Sequence, residues 1–96
     1  MIHRLILSPD AKADFRSAFH WYADKDKNLS LRFRTDFKAT LKLIAQYPSS
    51  FPRLRGLVRR AVMKRFPYSV YFTFSGGTVY VLRILHQRQL NLLSKP

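Results

Sequence analysis

The segment LRILHQRQ, residues 82 to 89, places one histidine between two arginines at the end of an apolar run. An imidazole can give or accept a proton near neutral pH, and an arginine can hold two phosphate oxygens at once. His86, with Arg83 and Arg88, is therefore a candidate for proton transfer beside a phosphate. The alternative is that these side chains form the polar end of a basic strand and carry no chemistry.

A second group of cations lies upstream of this segment. Six basic residues fall within thirteen positions, and no glycine-rich phosphate loop accompanies them. They are Arg53, Arg55, Arg59, Arg60, Lys64 and Arg65. We expect them to bind the carboxylates of an acidic protein or the phosphates of a nucleic acid, with Arg83 as a further candidate. The alternative is a solvated strand edge whose charge prevents aggregation.

Charge is distributed unevenly along the chain. Eighteen Lys and Arg against five acidic residues give a formal net charge of +13, and no acidic residue follows Asp36. The C-terminal part therefore carries a strong positive field, which favours an anionic partner. A basic surface without a dedicated partner is the alternative.

Length and composition favour one small globular domain, residues 1–96. Hydrophobic residues make up 47% and aromatic residues 15% of the 96 positions, which is enough for one packed core. The chain has no cysteine, which excludes disulfides and thiolate chemistry. His3 and His20 are isolated in the sequence, and carboxylates are sparse. We therefore expect neither a metal site nor a cofactor. The short N-terminal apolar stretch predicts no membrane segment, and we expect a cytoplasmic protein.

Two helices are predicted after a first strand at residues 2–7. Ser8 is the expected N-cap of the first helix, with Pro9 at its first position and Asp10 at the positive end of its dipole. Its apolar face consists of Ala11, Phe15, Ala18, Phe19 and Tyr22. A polar turn at residues 24–28 follows, with Asn28 as the expected cap of the second helix. The apolar face of that helix consists of Leu29, Phe33, Phe37, Leu41 and Ile44. Asp14 and Asp36 are expected to pair with basic residues on the helices.

Three strands are predicted after Pro48. An irregular connector at 48–56 precedes a strand at 58–66, and two further strands meet at a turn centred on Gly76-Gly77. That turn predicts three cross-strand pairs on the face toward the helices: Phe74 with Val79, Phe72 with Val81, and Val70 with Arg83. The opposite, open face would carry Tyr71, Thr73, Tyr80, Leu82, Ile84 and His86. The fold predicted is α+β, a helical hairpin on a small, mainly antiparallel sheet in the order β-α-α-β-β-β.

Several short motifs follow one another in an order typical of one protein family. They are A-x-x-D-F and Trp-Tyr, then R-F and I-x-x-x-P, then a basic strand ending in F-P-Y, and finally V-L-R-I-L-H-x-R. In this order the sequence resembles the RelE/ParE superfamily of toxins from bacterial toxin–antitoxin systems. The matching residues are Ala11, Asp14, Phe15, Trp21, Tyr22, Arg32, Phe33, Ile44, Pro48, Arg60, Phe66, Pro67, Tyr68, Val81, His86 and Arg88.

The resemblance implies a growth-inhibiting toxin, of the kind that stabilises plasmids, that an acidic and partly disordered antitoxin holds inactive. A homodimer or a toxin–antitoxin hetero-oligomer is compatible with it. Members similar to ParE poison DNA gyrase, and members similar to RelE cut messenger RNA in the ribosome. The helical hairpin with Trp21 and Tyr22 favours the ParE-like branch.

In the ribonuclease alternative, the resemblance makes Arg60, His86 and Arg88 the catalytic residues. Ribonuclease members tend to carry a further tyrosine near the C-terminus, whereas no tyrosine follows Tyr80 here. Many relatives read H-x-R-R, whereas Gln89 stands at the last of these positions. These departures favour a structural role for His86 over proton transfer, and a surface contact with the target or the antitoxin is a further alternative for this residue. A third interpretation is a non-toxic basic module that binds nucleic acid.

Overall fold

The structure, a computed structural model, describes residues 2–89 and contains two helices and five strands. The strands are β1 (Arg4–Leu7), β2 (Arg53–Arg55), β3 (Val58–Val62), β4 (Tyr68–Ser75) and β5 (Thr78–His86), and the helices are α1 (Pro9–Lys25) and α2 (Lys27–Gln46). Short 3-10 helices lie at Pro48–Ser50 and Gln87–Gln89. The C-terminal segment LNLLSKP lies outside the described residues. The predicted α+β fold, with a helical hairpin on a mainly antiparallel sheet, is confirmed.

The two helices begin at polar caps, of which the sequence predicts one correctly. The Ser8 hydroxyl accepts a hydrogen bond from the Ala11 N–H at 3.0 Å, with Pro9 opening α1 as expected. The second cap is Asp26, whose carboxylate accepts from the N–H of Asn28 at 2.9 Å. The prediction of Asn28 as the cap is therefore wrong, because a single extended residue, Asp26, joins the helices.

The core lies between the helical hairpin and one face of the sheet. Aromatic rings from both helices fill its centre: the Phe15 ring lies 5.6 Å from that of Phe33 and 4.8 Å from that of Phe37. The predicted apolar faces of both helices are confirmed, except that Phe19 is half-buried and is not part of the core. Within residues 2–89, neither helix is long and apolar enough to cross a membrane.

The five strands form one sheet in the order β1-β5-β4-β3-β2. Only β1 runs parallel to its neighbour, β5, and the other pairs are antiparallel. The segment predicted as an irregular connector contains the short edge strand β2. The tight turn between β4 and β5 is correctly predicted, because Gly76 and Gly77 both have positive φ, at 57° and 78°, which glycine adopts without strain.

A β-bulge in β5 changes the predicted register of this hairpin. Phe74 pairs with Val79 and Phe72 with Val81, as the sequence predicts. Tyr71 then pairs with Arg83, so Leu82 is an extra residue on β5. Beyond the bulge the alternation is reversed, and the predicted pair of Val70 with Arg83 is wrong.

The reversal moves the end of β5 to the helix side of the sheet. Val70 pairs with Ile84, which is buried in the core, and Tyr68 pairs with His86. The expectation that Ile84 and His86 lie on the open face is therefore wrong. One inserted residue turns every side chain after it to the other face, because side chains alternate along a strand.

Two side chains from the start of α1 satisfy the backbone groups that the bulge leaves unpaired. The Ser8 hydroxyl donates to the carbonyl of Leu82 at 2.8 Å. The Asp14 carboxylate accepts from the N–H of Ile84 at 2.9 Å, and from Nε and Nη2 of Arg83 at 2.7 and 3.0 Å. Asp14 therefore pairs with a strand residue and not, as expected, with one on the helices.

A second aspartate of the hairpin holds the turn after β3. Asp36 is buried on α2 and accepts from the backbone N–H groups of Lys64 and Arg65, at 3.4 and 2.9 Å. Its predicted pairing with a basic side chain on a helix is wrong. The strand ends at Val62 rather than at residue 66, because the chain turns there to present these N–H groups to the carboxylate.

Replacement of Asp14 by alanine is expected to lower the free energy of unfolding by about 2–3 kcal/mol, because it leaves the Arg83 guanidinium and the Ile84 N–H without their partner. Chemical denaturation followed by circular dichroism measures the change. Asp24→Ala is the matched control, since Asp24 is exposed on the same helix. Equal stabilities of the two variants would contradict this role of Asp14.

Candidate functional site

A cleft of about 740 Å³ opens between α1 and the ends of β4 and β5. One side of α1 forms its first wall, because residues three and four apart share a helical face. This wall consists of Asp14, Ser17, Ala18, Trp21 and Tyr22. The opposite wall consists of Pro67, Tyr68, Ile84, His86, Arg88 and Gln89. The cleft is thus lined by aromatic rings, with one histidine and one arginine.

Three contacts hold His86 at the C-terminal end of β5. Its Nδ1 accepts a hydrogen bond from the Arg88 N–H at 3.1 Å, and its own N–H donates to Oε1 of Gln89 at 2.9 Å. Its ring meets the Tyr68 ring edge-on, with centroids 5.1 Å apart. An Nδ1 that accepts requires the neutral ring with its proton on Nε2. His86 therefore closes the end of the strand, and its Nε2 is the ring nitrogen that this hydrogen bond leaves available.

The two tyrosines of the cleft keep their protons well into the alkaline range. Burial raises the pKa of Tyr68, and the nearby Tyr22 raises it further. Burial also raises the pKa of Tyr22. Near neutral pH both phenols can therefore donate a hydrogen bond, and neither can serve as a base.

Arg83 makes a contact within the fold, whereas the sequence predicts that it binds a partner. Its hydrogen bonds to Asp14 raise the pKa of its guanidinium, against a smaller lowering by burial. The same contact is the single salt bridge within residues 2–89. The charge of Arg83 is thus largely compensated by Asp14.

Arg60 lies away from the cleft. It pairs with Tyr71 on β4, whereas His86 pairs with Tyr68. Cross-strand partners share a face, and residues three apart on one strand point to opposite faces. Arg60 and His86 therefore lie on opposite faces of the sheet, and the structure brings together only two of the three candidate catalytic residues, His86 and Arg88.

The other predicted binding cations are distributed over β2, β3 and the turn after β3. Arg59 donates to the carbonyl of Phe51 at 2.7 Å and packs the 3-10 turn onto β3. Arg53 and Arg55 lie on the edge strand β2, and Lys64 and Arg65 are exposed on the turn after β3.

Tyr71 is the cross-strand partner of Arg60. Its hydroxyl is buried and has no hydrogen-bond partner within residues 2–89. No three His, Asp or Glu side chains converge as a metal site in the same range.

Several cleft residues were not predicted as site residues from the sequence, among them Asp14, Trp21, Tyr22 and Tyr68. The available signal is the spacing of Asp14, Ala18 and Trp21 along one side of α1. Trp21 is 54% exposed, with the Lys25 ammonium 4.3 Å from its ring centroid. An exposed tryptophan beside a cleft provides a large contact surface for a partner.

Comparison with known proteins defines the class to which this fold and cleft belong. A family model described as "ParE toxin of type II toxin-antitoxin system, parDE" matches residues 5–91, nearly the whole chain. The class is therefore that of the toxins of type II toxin–antitoxin systems. Within this class the chain belongs to the ParE toxin family, which confirms the resemblance seen in the sequence.

A solved structure has the same fold. It is described as "Chromosomal ParDE TA system from P. aeruginosa", with a TM-score of 0.78, 22% sequence identity, and coverage of 88% of this chain and 96% of the other. No curated protein sequence gives a significant match.

The raised pKa of Tyr68 predicts a loss of stability in alkali. The phenol titrates near 10.0 when unfolded and higher when folded, so its contribution is complete below pH 10 and is lost as the pH rises through the folded pKa. Tyr68→Phe is expected to reduce this alkaline loss, measured by urea unfolding on both sides of pH 10. Tyr47→Phe, at an exposed tyrosine, controls for titration of the lysines. Identical pH profiles for the two variants would rule out the effect.

Proposed function

We propose that the protein is a growth-inhibiting toxin that acts on DNA gyrase in the cytoplasm and is neutralised by an acidic antitoxin. Membership of the ParE family supports the toxin class, and the shared fold with a chain of a ParDE system supports an antitoxin partner. The net charge of +13 supports an acidic one, because opposite charges speed association and favour binding.

The separation of Arg60 from His86 is the observation that favours DNA gyrase over messenger RNA as the target. Cleavage of RNA without a metal needs a base, an acid and cations around one phosphate. Here the two faces of the sheet keep Arg60 and His86 apart, and the Arg83 guanidinium is engaged by Asp14. The phenols of Tyr22 and Tyr68 are protonated and cannot replace the base. This arrangement favours a toxin that binds its target without cutting RNA.

The antitoxin would contact two regions of the molecule. The aromatic cleft beside Trp21 offers contact area for apolar side chains of the antitoxin. The exposed cations on β2 and on the turn after β3, Arg53, Lys64 and Arg65, offer partners for its carboxylates. Arg59 and Arg83 are engaged within the fold, by the Phe51 carbonyl and the Asp14 carboxylate respectively.

An mRNA endoribonuclease of the RelE type is the second candidate. It is favoured by one observation, that His86 and Arg88 line the same cleft as the Tyr68 ring. In such an enzyme, Nε2 of His86 would transfer the proton and Arg88 would contact the phosphate.

Two assays on the purified protein decide between these targets. We expect the wild type to inhibit supercoiling of plasmid DNA by purified gyrase, and His86→Ala to retain at least about half of this inhibition, because His86 closes the strand and does not meet the target in this account. Primer extension on a message translated in a cell-free bacterial system is expected to show intact message. Circular dichroism confirms that the variant is folded.

Codon-phased cuts that disappear in His86→Ala, together with unaffected gyrase, would overturn the gyrase assignment and establish the ribonuclease. Absence of effect in both assays, with folded protein that still arrests growth, would overturn both assignments.

A further inference from the structure

The solvent-facing side of the helical hairpin carries a group of cations that the proposed function does not use. We name it the basic ridge and define it as Lys12 and Arg16 on α1 with Arg34, Lys38 and Lys42 on α2. All five side chains are exposed. The ridge lies on the helices, away from the basic residues of β2 and β3.

Helical geometry places the three cations of α2 in one line. At about 100° per residue, Arg34, Lys38 and Lys42 fall within an arc of roughly 80° around the helix axis. Arg32, the other exposed arginine of α2, points about 120° away from Lys38 and lies about 15 Å along the axis from Lys42. The line from Arg34 to Lys42 is about 12 Å long, because each residue adds about 1.5 Å along the axis.

The contact between Arg34 and Phe19 joins this line to α1. The Arg34 guanidinium lies 6.0 Å from the centroid of the Phe19 ring. Arg16 and Lys12 precede Phe19 by three and seven residues and so share its side of α1. The two helices therefore contribute to one continuous surface.

Carboxylates are directed away from the ridge. Asp36, the single acidic residue of α2, is buried and bound to the turn after β3. Asp14 is paired with Arg83 on the cleft side of α1. Asp24 lies about 12 Å from Arg16 along the axis of α1, and Asp10 points about 120° away from Arg16 around that axis.

The ridge cations make no ion pair within residues 2–89, where the single salt bridge is that of Asp14 with Arg83. Like charges four residues apart on a helix destabilise it, and the ridge contains three such pairs: Lys12 with Arg16, Arg34 with Lys38, and Lys38 with Lys42. An external polyanion would relieve this repulsion.

We propose that the basic ridge binds the phosphate backbone of duplex DNA. One strand of DNA carries a charge for about every 3.4 Å of the helix axis, so a line of about 12 Å laid along that axis passes three to four phosphates of each strand. Contacts of Lys and Arg with phosphates require charge and reach, which exposed helical side chains supply. The ridge would hold the protein on DNA without reading its sequence.

Duplex DNA fits the ridge better than an acidic protein does. The fully buried core of a protein interface is apolar and rich in aromatic residues. The ridge offers only Leu31, which is 37% exposed, and the half-buried Phe19. The aromatic surface suited to a protein partner lies instead in the cleft beside Trp21.

Fluorescence anisotropy with a labelled duplex of mixed sequence tests the proposal. The wild-type protein is compared with the triple variant Arg34→Gln, Lys38→Gln, Lys42→Gln over a series of salt concentrations. We expect this variant to bind at least about tenfold more weakly at low salt, and its salt dependence, the slope of log K against log salt, to fall by about three. This test involves neither gyrase nor antitoxin, so its outcome is independent of the proposed function.

The triple variant Arg4→Gln, Lys25→Gln, Arg32→Gln is the matched control. It removes the same charge from exposed positions outside the ridge and is expected to lose less than about threefold in affinity. Thermal melting confirms that both variants are folded. Equal losses in the two variants would overturn the proposal and assign the binding to net charge.

Two further outcomes would also overturn the proposal. One is failure of the wild type to bind the duplex at low salt. The other is unchanged binding of DNA by the ridge variant with lost binding of poly-L-glutamate, which would assign the ridge to an acidic protein.

Discussion

The architecture of the molecule depends on one carboxylate, that of Asp14. An extra residue in β5 breaks the ladder of strand hydrogen bonds and leaves the Ile84 N–H directed at the helix layer. Asp14 binds this N–H and the Arg83 guanidinium beside it. A buried N–H without a partner is costly, and so is a partly buried arginine without an anion. One side chain of α1 satisfies both, while Ser8 satisfies the carbonyl of Leu82.

This contact decides which residues the candidate site contains. With a regular strand, His86 would lie on the open face of the sheet. The bulge turns His86 toward α1, where it meets Tyr68 and faces Trp21 across the cleft. The same turn separates His86 from Arg60. A site that resembles a basic catalytic centre in sequence is thus, in space, an aromatic cleft on one face and a cation on the other.

The sequence predicts what depends on local chemistry. Ser8 and Pro9 define the start of α1, the apolar spacing defines both helices, and Gly76-Gly77 fixes the register of the hairpin near its turn. The family could also be identified, from motifs spread along the chain.

The bulge could not be predicted, because the run V-Y-V-L-R-I-L is almost continuously apolar and shows no break in alternation where Leu82 is inserted. For the same reason the cleft was missed, since its walls come from residues about fifty positions or more apart whose contact depends on the bulge. Arg83 looked like a free cation because its partner, Asp14, lies 69 positions away.

The orientation of the His86 ring distinguishes a bulged β5 from a regular one. A two-dimensional nuclear Overhauser spectrum of the isotope-labelled protein reports which rings lie near the His86 imidazole. We expect cross-peaks from the His86 ring to the ring of Tyr68, whose centroid lies 5.1 Å away. Absence of these cross-peaks, with cross-peaks from the His86 ring to the side chain of Ser69 instead, would mean that β5 runs without the bulge, because a regular register places His86 opposite Pro67 and on the same face as Ser69 and Arg60.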